Sequence, residues 1–207
     1  MNRPLLITDC DEVLLHMAAH FGMWLEEAHG IQFALDRHDT ANAMTRRADG
    51  SPVPADAAWA LLDSFFTTEM HRQTPVPGAL DALARIADHA DIVILTNVGA
   101  DHHARRVAQL ESVGIRHRVL CNRGGKGVPV ARLIEEMRPS SAVFIDDLAV
   151  HHQSAAKHAP DVWRLHLVAE PIMAPHIPPA PDAHARIDDW ATAQDWVLDR
   201  FAMRAVA

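Results

Sequence analysis

The 207-residue sequence lacks the features of disulfide-stabilised, membrane-spanning and secreted proteins. Its only cysteines, Cys10 and Cys121, cannot build a disulfide framework, so we expect both to be small buried residues in a reducing compartment. No apolar run approaches the roughly 18 residues of a membrane span. The N-terminus shows no charged region followed by an apolar segment, the pattern of a signal peptide. Together these absences predict a cytoplasmic protein.

An excess of positive charge is also missing. The 19 basic and 27 acidic side chains give a net charge of -8 and a pI near 6.0. Proteins that bind nucleic-acid polymers usually carry basic patches, so such a polymer is not the expected partner. Lys126 and Lys157 are the only lysines, which makes the position of each informative. The oligomeric state cannot be read from these numbers.

From residue 78 onward, short apolar runs alternate with amphipathic segments of about ten residues. The runs at 91–95, 118–121, 141–145 and 162–168 predict buried strands. Another strand is predicted at the start of the chain, at Leu5–Thr8. This alternation predicts a Rossmann-like α/β fold, in which helices cover both faces of a parallel sheet to give three layers, α/β/α.

Residues 14–77 interrupt this pattern. The segments 13–29 and 55–71 place apolar residues at three- and four-residue steps, which is typical of amphipathic helices. The polar segment 36–54 predicts a helix fragment followed by a loop, and no part of the insertion predicts a strand. We therefore expect a core of residues 1–13 and 78–207, with an α-helical lobe of residues 14–77 inserted after the first strand.

Polar side chains stand where the predicted strands end. The carboxyl ends of parallel strands meet at one edge of a sheet, and open α/β sheets bind their ligands at that edge. Seven candidate residues are expected there: Asp9, Asp11, Thr96, Asn97, Lys126, Asp146 and Asp147.

This set of side chains is suited to phosphoryl chemistry. Crowded carboxylates repel one another unless a cation lies among them, and hard oxygen donors favour Mg²⁺. A magnesium ion, a lysine and a hydroxyl together could receive a phosphoryl group. One carboxylate could attack phosphorus to form an aspartyl-phosphate. A second carboxyl group could protonate the leaving oxygen and then take a proton from water.

The same residues resemble the four motifs of the haloacid dehalogenase superfamily, in order and after the expected strands. The matching segments are Asp9-Cys10-Asp11-Glu12-Val13, Thr96-Asn97, Lys126 and Asp146-Asp147. The resemblance covers the core and implies that Asp9 is the nucleophile and Asp11 the general acid/base. It implies that Thr96 and Lys126 bind the phosphoryl group, and Asn97 is a further candidate for phosphate binding. It also implies an Mg²⁺ ion held by Asp9, the main-chain carbonyl of Asp11 and Asp146, with Asp147 assisting directly or through water.

The resemblance further implies a phosphatase with a cap. Members that dehalogenate lack an aspartate at the position of Asp11, so a small phosphomonoester, a phosphorylated metabolite, is the expected substrate. The inserted lobe resembles the superfamily's small helical cap, which excludes water and selects the substrate. Glu12 departs from the family pattern, because many of these phosphatases have glycine at that position.

Other interpretations remain open at this point. A phosphomutase or a phosphonate hydrolase could use the same scaffold, although the phosphonate route resembles members with a cap lysine and residues 14–77 contain none. A non-enzymatic phosphoacceptor would not carry the helical insertion. An inactive binding module would not need Asp9, Asp11, Lys126 and Asp146 intact.

Several other polar residues have weaker assignments. Arg46 and Arg47 are candidates for contacting an anionic leaving group. Two adjacent histidine pairs, at 102–103 and 151–152, are predicted on solvated helix faces, because neighbouring residues of a helix do not face one site.

Overall fold

The computed structural model describes residues 2–36 and 43–203. Its centre is a parallel six-stranded sheet of β1 (Leu5–Thr8), β6 (Asp91–Thr96), β7 (Arg118–Cys121), β8 (Ala142–Asp146), β9 (Trp163–His166) and β10 (Ala185–Arg186). The strand order is β10-β9-β8-β1-β6-β7. This confirms the predicted α/β fold, and β10 is a two-residue strand that the sequence pattern did not predict.

Helices cover both faces of the sheet. The core helices are α3 (Ala79–Ala87), α4 (His103–Ser112), α5 (Gly127–Met137), α6 (Ala149–His158) and α7 (Trp190–Met203). Successive side chains of a strand point to opposite faces. Leu6 therefore packs in one apolar cluster with α3 and α7, while Leu5 and Ile7 pack in another with α5 and α6. The result is three layers with the two halves of the core on either side of the sheet.

The insertion after β1 contains helices and also short strands. Its elements are β2 (Leu15–His16), α1 (Ala18–His29), β3 (Ile31–Phe33), β4 (Met44–Arg46), α2 (Ala55–Thr68) and β5 (Thr74–Pro75). The pairs β2/β5 and β3/β4 are antiparallel. The expectation of an insertion without strands was therefore wrong, since strands of two or three residues are too short to show alternation. Part of the helix fragment expected within 36–54 lies outside the described residues.

The insertion has its own apolar centre. Phe21, Trp24 and Phe65 contact one another with ring centroids 5.4 to 6.0 Å apart: Phe21 stacks on Trp24 and meets Phe65 edge to face. Met44 and Val53 belong to the same cluster, and Val98 joins it from the core. Where the chain returns to the core, Gly78 has φ 81°, a left-handed conformation that glycine adopts without strain. The indole of Trp190 donates a hydrogen bond to the carbonyl of Val13 at 2.7 Å, which fixes the exit from the core.

Two smaller observations bear on the expected class of protein. Both Cys10 and Cys121 are free thiols. Among the helices of the described residues, none is long and apolar enough to cross a membrane.

Candidate active site

Asp9 is the first residue after β1, and the chain turns sharply behind it. The carbonyl of Cys10 accepts hydrogen bonds from the amides of Leu14 and Leu15 at 2.8 and 3.0 Å, and Glu12 has φ 59°. The amide of Cys10 donates to Asp9 Oδ1 at 2.7 Å. Burial raises the pKa of Asp9, and the charge of Asp146 adds to that effect, although Lys126 opposes it. The carboxylate is thus fixed at the sheet edge.

Lys126 joins two of the predicted site residues. Its ammonium lies 2.7 Å from Asp9 Oδ1 and 2.7 Å from Asp146 Oδ2, and its side chain is fully buried. Burial acts to lower the pKa of Lys126, but the carboxylates of Asp146 and Asp9 outweigh it and raise that pKa. The ammonium therefore stays charged and holds β1 and β8 together at this edge.

The loop that carries Lys126 depends on a close approach. A Cβ atom at Gly127 would lie 2.0 Å from the carbonyl oxygen of Ser154, so α5 can begin against α6 only because residue 127 is glycine. The Gly127 amide also donates to Ser154 Oγ at 2.9 Å. This contact sets the position from which Lys126 reaches the two carboxylates.

Asp9, Asp146 and Asp147 form a group that can hold a cation. One oxygen of each carboxylate lies within 4.8 Å of the other two, and all three side chains are buried. Burial raises the pKa of Asp147 well above its ordinary range, and the charge of Asp146 raises it further. Lys126 is the only protein cation in contact with these carboxylates in the described part of the chain, so one positive charge faces three carboxyl groups. A divalent ion with a preference for oxygen ligands fits this set.

Two buried histidines support the backbone of this loop. His152 Nε2 lies 3.0 Å from the carbonyl of Asp146, and His166 Nε2 lies 2.7 Å from the carbonyl of Asp147. Burial lowers the pKa of each imidazole to about 4, so both rings are neutral at physiological pH and donate from Nε2. The Ala180 amide donates to His166 Nδ1 at 2.9 Å, which agrees with that tautomer. Histidines therefore orient the acidic loop without being part of the acidic group.

Thr96 ends β6 at the same edge. Its side chain is fully buried, and its hydroxyl has no hydrogen-bond partner within residues 2–36 and 43–203. A buried hydroxyl without a partner is uncommon in folded proteins, because desolvating it costs free energy that a hydrogen bond normally offsets. An orphaned hydroxyl at the end of β6 fits a residue that bonds to a bound group.

Asn97 is already engaged with protein groups. Its Nδ2 donates to the carbonyl of Gly124 at 2.9 Å, and its Oδ1 accepts from Asn122 Nδ2 at 2.8 Å. His151 Nε2 lies 3.2 Å from the same Nδ2. Asn97 thus braces the loop before Lys126 against β6, and its phosphate contact stays a prediction.

Asp11 has an unexpected partner. Arg106 Nη2 lies 2.9 Å from Asp11 Oδ1 and 2.7 Å from Oδ2, and Gln73 Nε2 donates to Oδ1 at 2.6 Å. Arg106 is fully buried although it is charged, and Asp11 is partly buried. A buried guanidinium needs such a partner, since an unpaired charge in the interior is strongly destabilising.

Arg106 also links the core to the insertion. It belongs to α4, yet its guanidinium carbon lies 5.5 Å from the ring centre of Phe66 on α2. Its Nη1 donates to Gln73 Oε1 at 3.3 Å and to Gln109 Oε1 at 3.0 Å. The orientation of the Asp11 side chain therefore depends on residues from both parts of the chain.

The structure thus brings most of the predicted residues to one place. Asp9, Lys126, Asp146 and Asp147 are in contact or within 4.8 Å, and the carboxylate of Asp11 points to Arg106 and lies outside the metal-capable group. The sequence interpretation missed Arg106, Gln73, His152 and His166, since only their distant partners give them a role. The arginine pair in the insertion is exposed, and Arg47 pairs with Glu26 at 2.7 Å.

The expectation of solvated histidine pairs was largely wrong. His102, His151 and His152 are buried, whereas His103 is exposed. Adjacent histidines do face different surroundings, as predicted, but both histidines of α6 are buried against polar groups of the core. His151 turns toward Asn97 and His152 toward the carbonyl of Asp146.

Among the comparisons with known proteins, only the comparison with solved structures finds matches. No protein-family profile and no curated protein sequence matches the chain. Several solved structures do match over nearly the whole chain at low identity. One is a Bacillus subtilis protein described as a haloacid dehalogenase-type hydrolase and determined with bound magnesium; it is 14% identical, with a TM-score of 0.65, over 95% of this chain and 99% of the other.

Two further matches have narrower descriptions. A Lactobacillus plantarum protein described as a phosphoglycolate phosphatase is 14% identical, with a TM-score of 0.64, and the match covers 94% of this chain and 99% of that one. A Thermotoga maritima protein described as a β-phosphoglucomutase is 12% identical, with a TM-score of 0.60, over 99% and 100%. These likenesses show that the chain has the haloacid dehalogenase-like fold.

Proposed function

We propose that this protein is a magnesium-dependent phosphohydrolase that cleaves a small phosphomonoester through an aspartyl-phosphate on Asp9. The observation that carries the proposal is the position of Lys126, which bridges Asp9 and Asp146 at 2.7 Å while Asp147 stands in the same group. Residues from three distant parts of the chain converge on one nucleophilic carboxylate at the ligand-binding edge of the sheet. The haloacid dehalogenase-like fold supports the same function.

The proposed reaction has two steps. Asp9 attacks phosphorus and displaces the alcohol oxygen, while Lys126 and the Thr96 hydroxyl bind oxygens of the transferring group. Asp11 gives a proton to the departing oxygen. Water then attacks the phosphorus of the aspartyl-phosphate, Asp11 takes the proton of that water, and Asp9 and inorganic phosphate are released.

Magnesium would be held by Asp9, Asp146, Asp147 and the main-chain carbonyl of Asp11. When bound, it would neutralise charge on the phosphoryl oxygens. The chain's own residues fix the geometry: Leu148 donates its amide to Asp146 Oδ1 at 2.9 Å, and the two neutral histidines hold the loop carbonyls. The first experiment is hydrolysis of p-nitrophenyl phosphate with Mg²⁺ or with EDTA. Failure of Mg²⁺ to restore turnover after EDTA treatment would refute the metal dependence.

Magnesium should also stabilise the fold, and the Asp147→Asn variant should remove most of that effect. Saturating Mg²⁺ at about 100 times its dissociation constant contributes about 2.7 kcal/mol, which raises the melting temperature of a chain of this size by roughly 5 to 10 °C. Because burial and the Asp146 charge raise the pKa of Asp147, its ionised form destabilises the metal-free fold. We therefore expect Asp147→Asn to melt at a higher temperature than wild type in EDTA.

The measurement is thermal unfolding in EDTA and in Mg²⁺. Asp88→Asn, at an exposed position, is the matched control and should behave as wild type in both conditions. If Asp147→Asn keeps the full magnesium-induced increase in melting temperature, Asp147 does not hold the ion.

Arg106 should act on catalysis through Asp11. We expect Arg106→Met to lower kcat about 10- to 100-fold in the wild-type background, because the carboxylate loses the guanidinium that orients it. In the Asp11→Asn background the same change should have an effect within about threefold, since contacting residues that act together are not additive. Arg106→Lys should restore part of the activity.

The matched control is Arg105→Met, an exposed arginine on the same helix, which should leave kcat unchanged. Circular dichroism establishes that each variant is folded before its kinetics are compared. An equal loss of kcat from Arg106→Met in both backgrounds would mean that Arg106 does not act through Asp11 and serves the fold instead.

The substrate is proposed by class. Residues 14–77 would serve as the cap that covers the site, and a panel of small phosphorylated metabolites would identify the preferred compound. A phosphomutase is the second candidate, favoured by the likeness to the protein described as a β-phosphoglucomutase. Release of inorganic phosphate in proportion to substrate consumed supports the hydrolase, whereas isomerised phosphate ester supports the mutase. The free thiols support a cytoplasmic location.

A further inference from the structure

A second group of metal-ligating side chains lies at the base of the insertion, apart from the three aspartates. Glu12, His16 and Glu170 each offer a ligand atom, and these atoms lie within 4.8 Å of one another. The three residues come from separate segments: the turn after β1, strand β2 and the loop after β9. The group therefore forms only when the insertion and the core take this arrangement.

The backbone around Glu12 is built to fix its side chain. Glu12 Oε1 accepts the amides of Met17 and Ala18, at 2.8 and 2.5 Å, at the start of α1. The Glu12 carbonyl accepts the amide of Ala169 at 2.9 Å, next to Glu170. The amides of Met17 and Ala18 hold Oε1 of the carboxylate, and neither of them bonds to Oε2.

Two buried ligand atoms in this group have no hydrogen-bond partner among the residues that the structure describes. Glu12 is 3% exposed and its Oε2 is unpartnered, and Nδ1 of His16 is also unpartnered. His16 Nδ1 lies 3.4 Å from Glu170 Oε2, and Glu170 is 5% exposed. Backbone amides bond to Oε1 of Glu12 and to Oε1 of Glu170, so the desolvation cost that no hydrogen bond offsets lies at Glu12 Oε2 and His16 Nδ1.

The donor set specifies a different ion from the one proposed at Asp9. Mixed imidazole and carboxylate ligands suit zinc and similar transition ions, whereas magnesium prefers oxygen alone. Ligands about 2.0 to 2.2 Å from one zinc ion stand roughly 3 to 4 Å apart, so these donors need only a small side-chain adjustment.

We propose that Glu12, His16 and Glu170 form a site for a divalent transition-metal ion, with Zn²⁺ as its representative, distinct from the magnesium site. Glu12 Oε2, His16 Nδ1 and Glu170 Oε2 supply three ligands, and water completes the coordination shell. The ion joins the turn after β1, the first strand of the insertion and the loop after β9. Its role is to fix the base of the insertion on the core.

The experiment loads metal-free protein with Zn²⁺ in excess Mg²⁺, which fills the oxygen-ligand site, and counts retained zinc after desalting. Wild type and the Asp9→Asn variant should each retain one zinc ion per chain. Variants His16→Gln and Glu170→Gln should retain none. Loss of a residue that hydrogen-bonds to a metal ligand typically weakens metal binding about 10- to 100-fold. Loss of a direct ligand should weaken zinc binding by more than this. His89→Gln, an exposed histidine, is the matched control and should retain zinc as wild type does.

The outcomes separate this site from the proposed catalytic function. Zinc retained by Asp9→Asn but lost from both ligand variants supports the site, whatever the activity of the protein is. Absence of retained zinc in wild type, or equal retention in wild type and folded Glu170→Gln, overturns it. Thermal unfolding of each metal-free variant establishes that zinc is lost from a folded chain.

Discussion

The Asp9→Asn variant should lose phosphatase activity by a factor on the order of 10⁴ or more, because an amide cannot form the acyl-phosphate intermediate. Asparagine has nearly the shape of aspartate, and its Oδ1 can still accept from the Cys10 amide and from Lys126. The fold should therefore persist while kcat for p-nitrophenyl phosphate with Mg²⁺ falls to background.

Asp88→Asn provides the control for the same chemical change at an exposed position and should keep wild-type kcat. Circular dichroism and thermal unfolding should show Asp9→Asn folded. Substantial turnover in folded Asp9→Asn would remove Asp9 as the nucleophile.

Lys126→Met should affect both activity and stability. Removal of the ammonium leaves Asp9 and Asp146 without their shared partner, and breaking a buried ion pair in this way typically costs about 3 to 5 kcal/mol of unfolding free energy. The phosphoryl group also loses a cationic ligand, so kcat should fall on the order of 10³-fold. Urea unfolding and p-nitrophenyl phosphate kinetics measure the two effects.

The chain contains a matched control, because Lys157 is its only other lysine and is exposed. Lys157→Met should change stability by no more than about 0.5 kcal/mol and leave kcat at the wild-type value. Bound Mg²⁺ should recover part of the stability lost in Lys126→Met, since a cation again lies among the carboxylates. A Lys126→Met variant as stable and as active as Lys157→Met would contradict the bridging role.

The sequence predicted those features that depend on local pattern. Buried strands such as β6 and β8 are continuous apolar runs, and each ends directly in its polar site residues. Parallel topology then places Asp9 and Asp146 on one edge, which the structure confirms through their common contact with Lys126. Strands β2 and β5 escaped prediction because a two-residue strand exists only through its distant partner.

The environment of Asp11 could not be predicted for a similar reason. Arg106 occupies an ordinary helical position, and nothing in its neighbours shows that the guanidinium is buried against a carboxylate 95 residues earlier. Glu12 was noticeable as a departure from the family pattern, but its ties to α1, His16 and Glu170 appear only in three dimensions. Polar contacts between distant segments leave no periodic signal in the sequence.

The central claim is that Asp9 carries the phosphoryl group during turnover. The most direct measurement uses Asp11→Asn, in which loss of the proton acceptor should slow hydrolysis of the aspartyl-phosphate.

The variant is mixed with substrate and Mg²⁺, quenched in acid, treated with borohydride and sequenced by mass spectrometry. Borohydride reduces an acyl phosphate to an alcohol and so marks the attacked residue as homoserine. Homoserine at position 9, absent when substrate is omitted and absent from the Asp9→Asn/Asp11→Asn variant, is the predicted result. Homoserine at another aspartate, or none in a variant that still releases phosphate, would contradict the account.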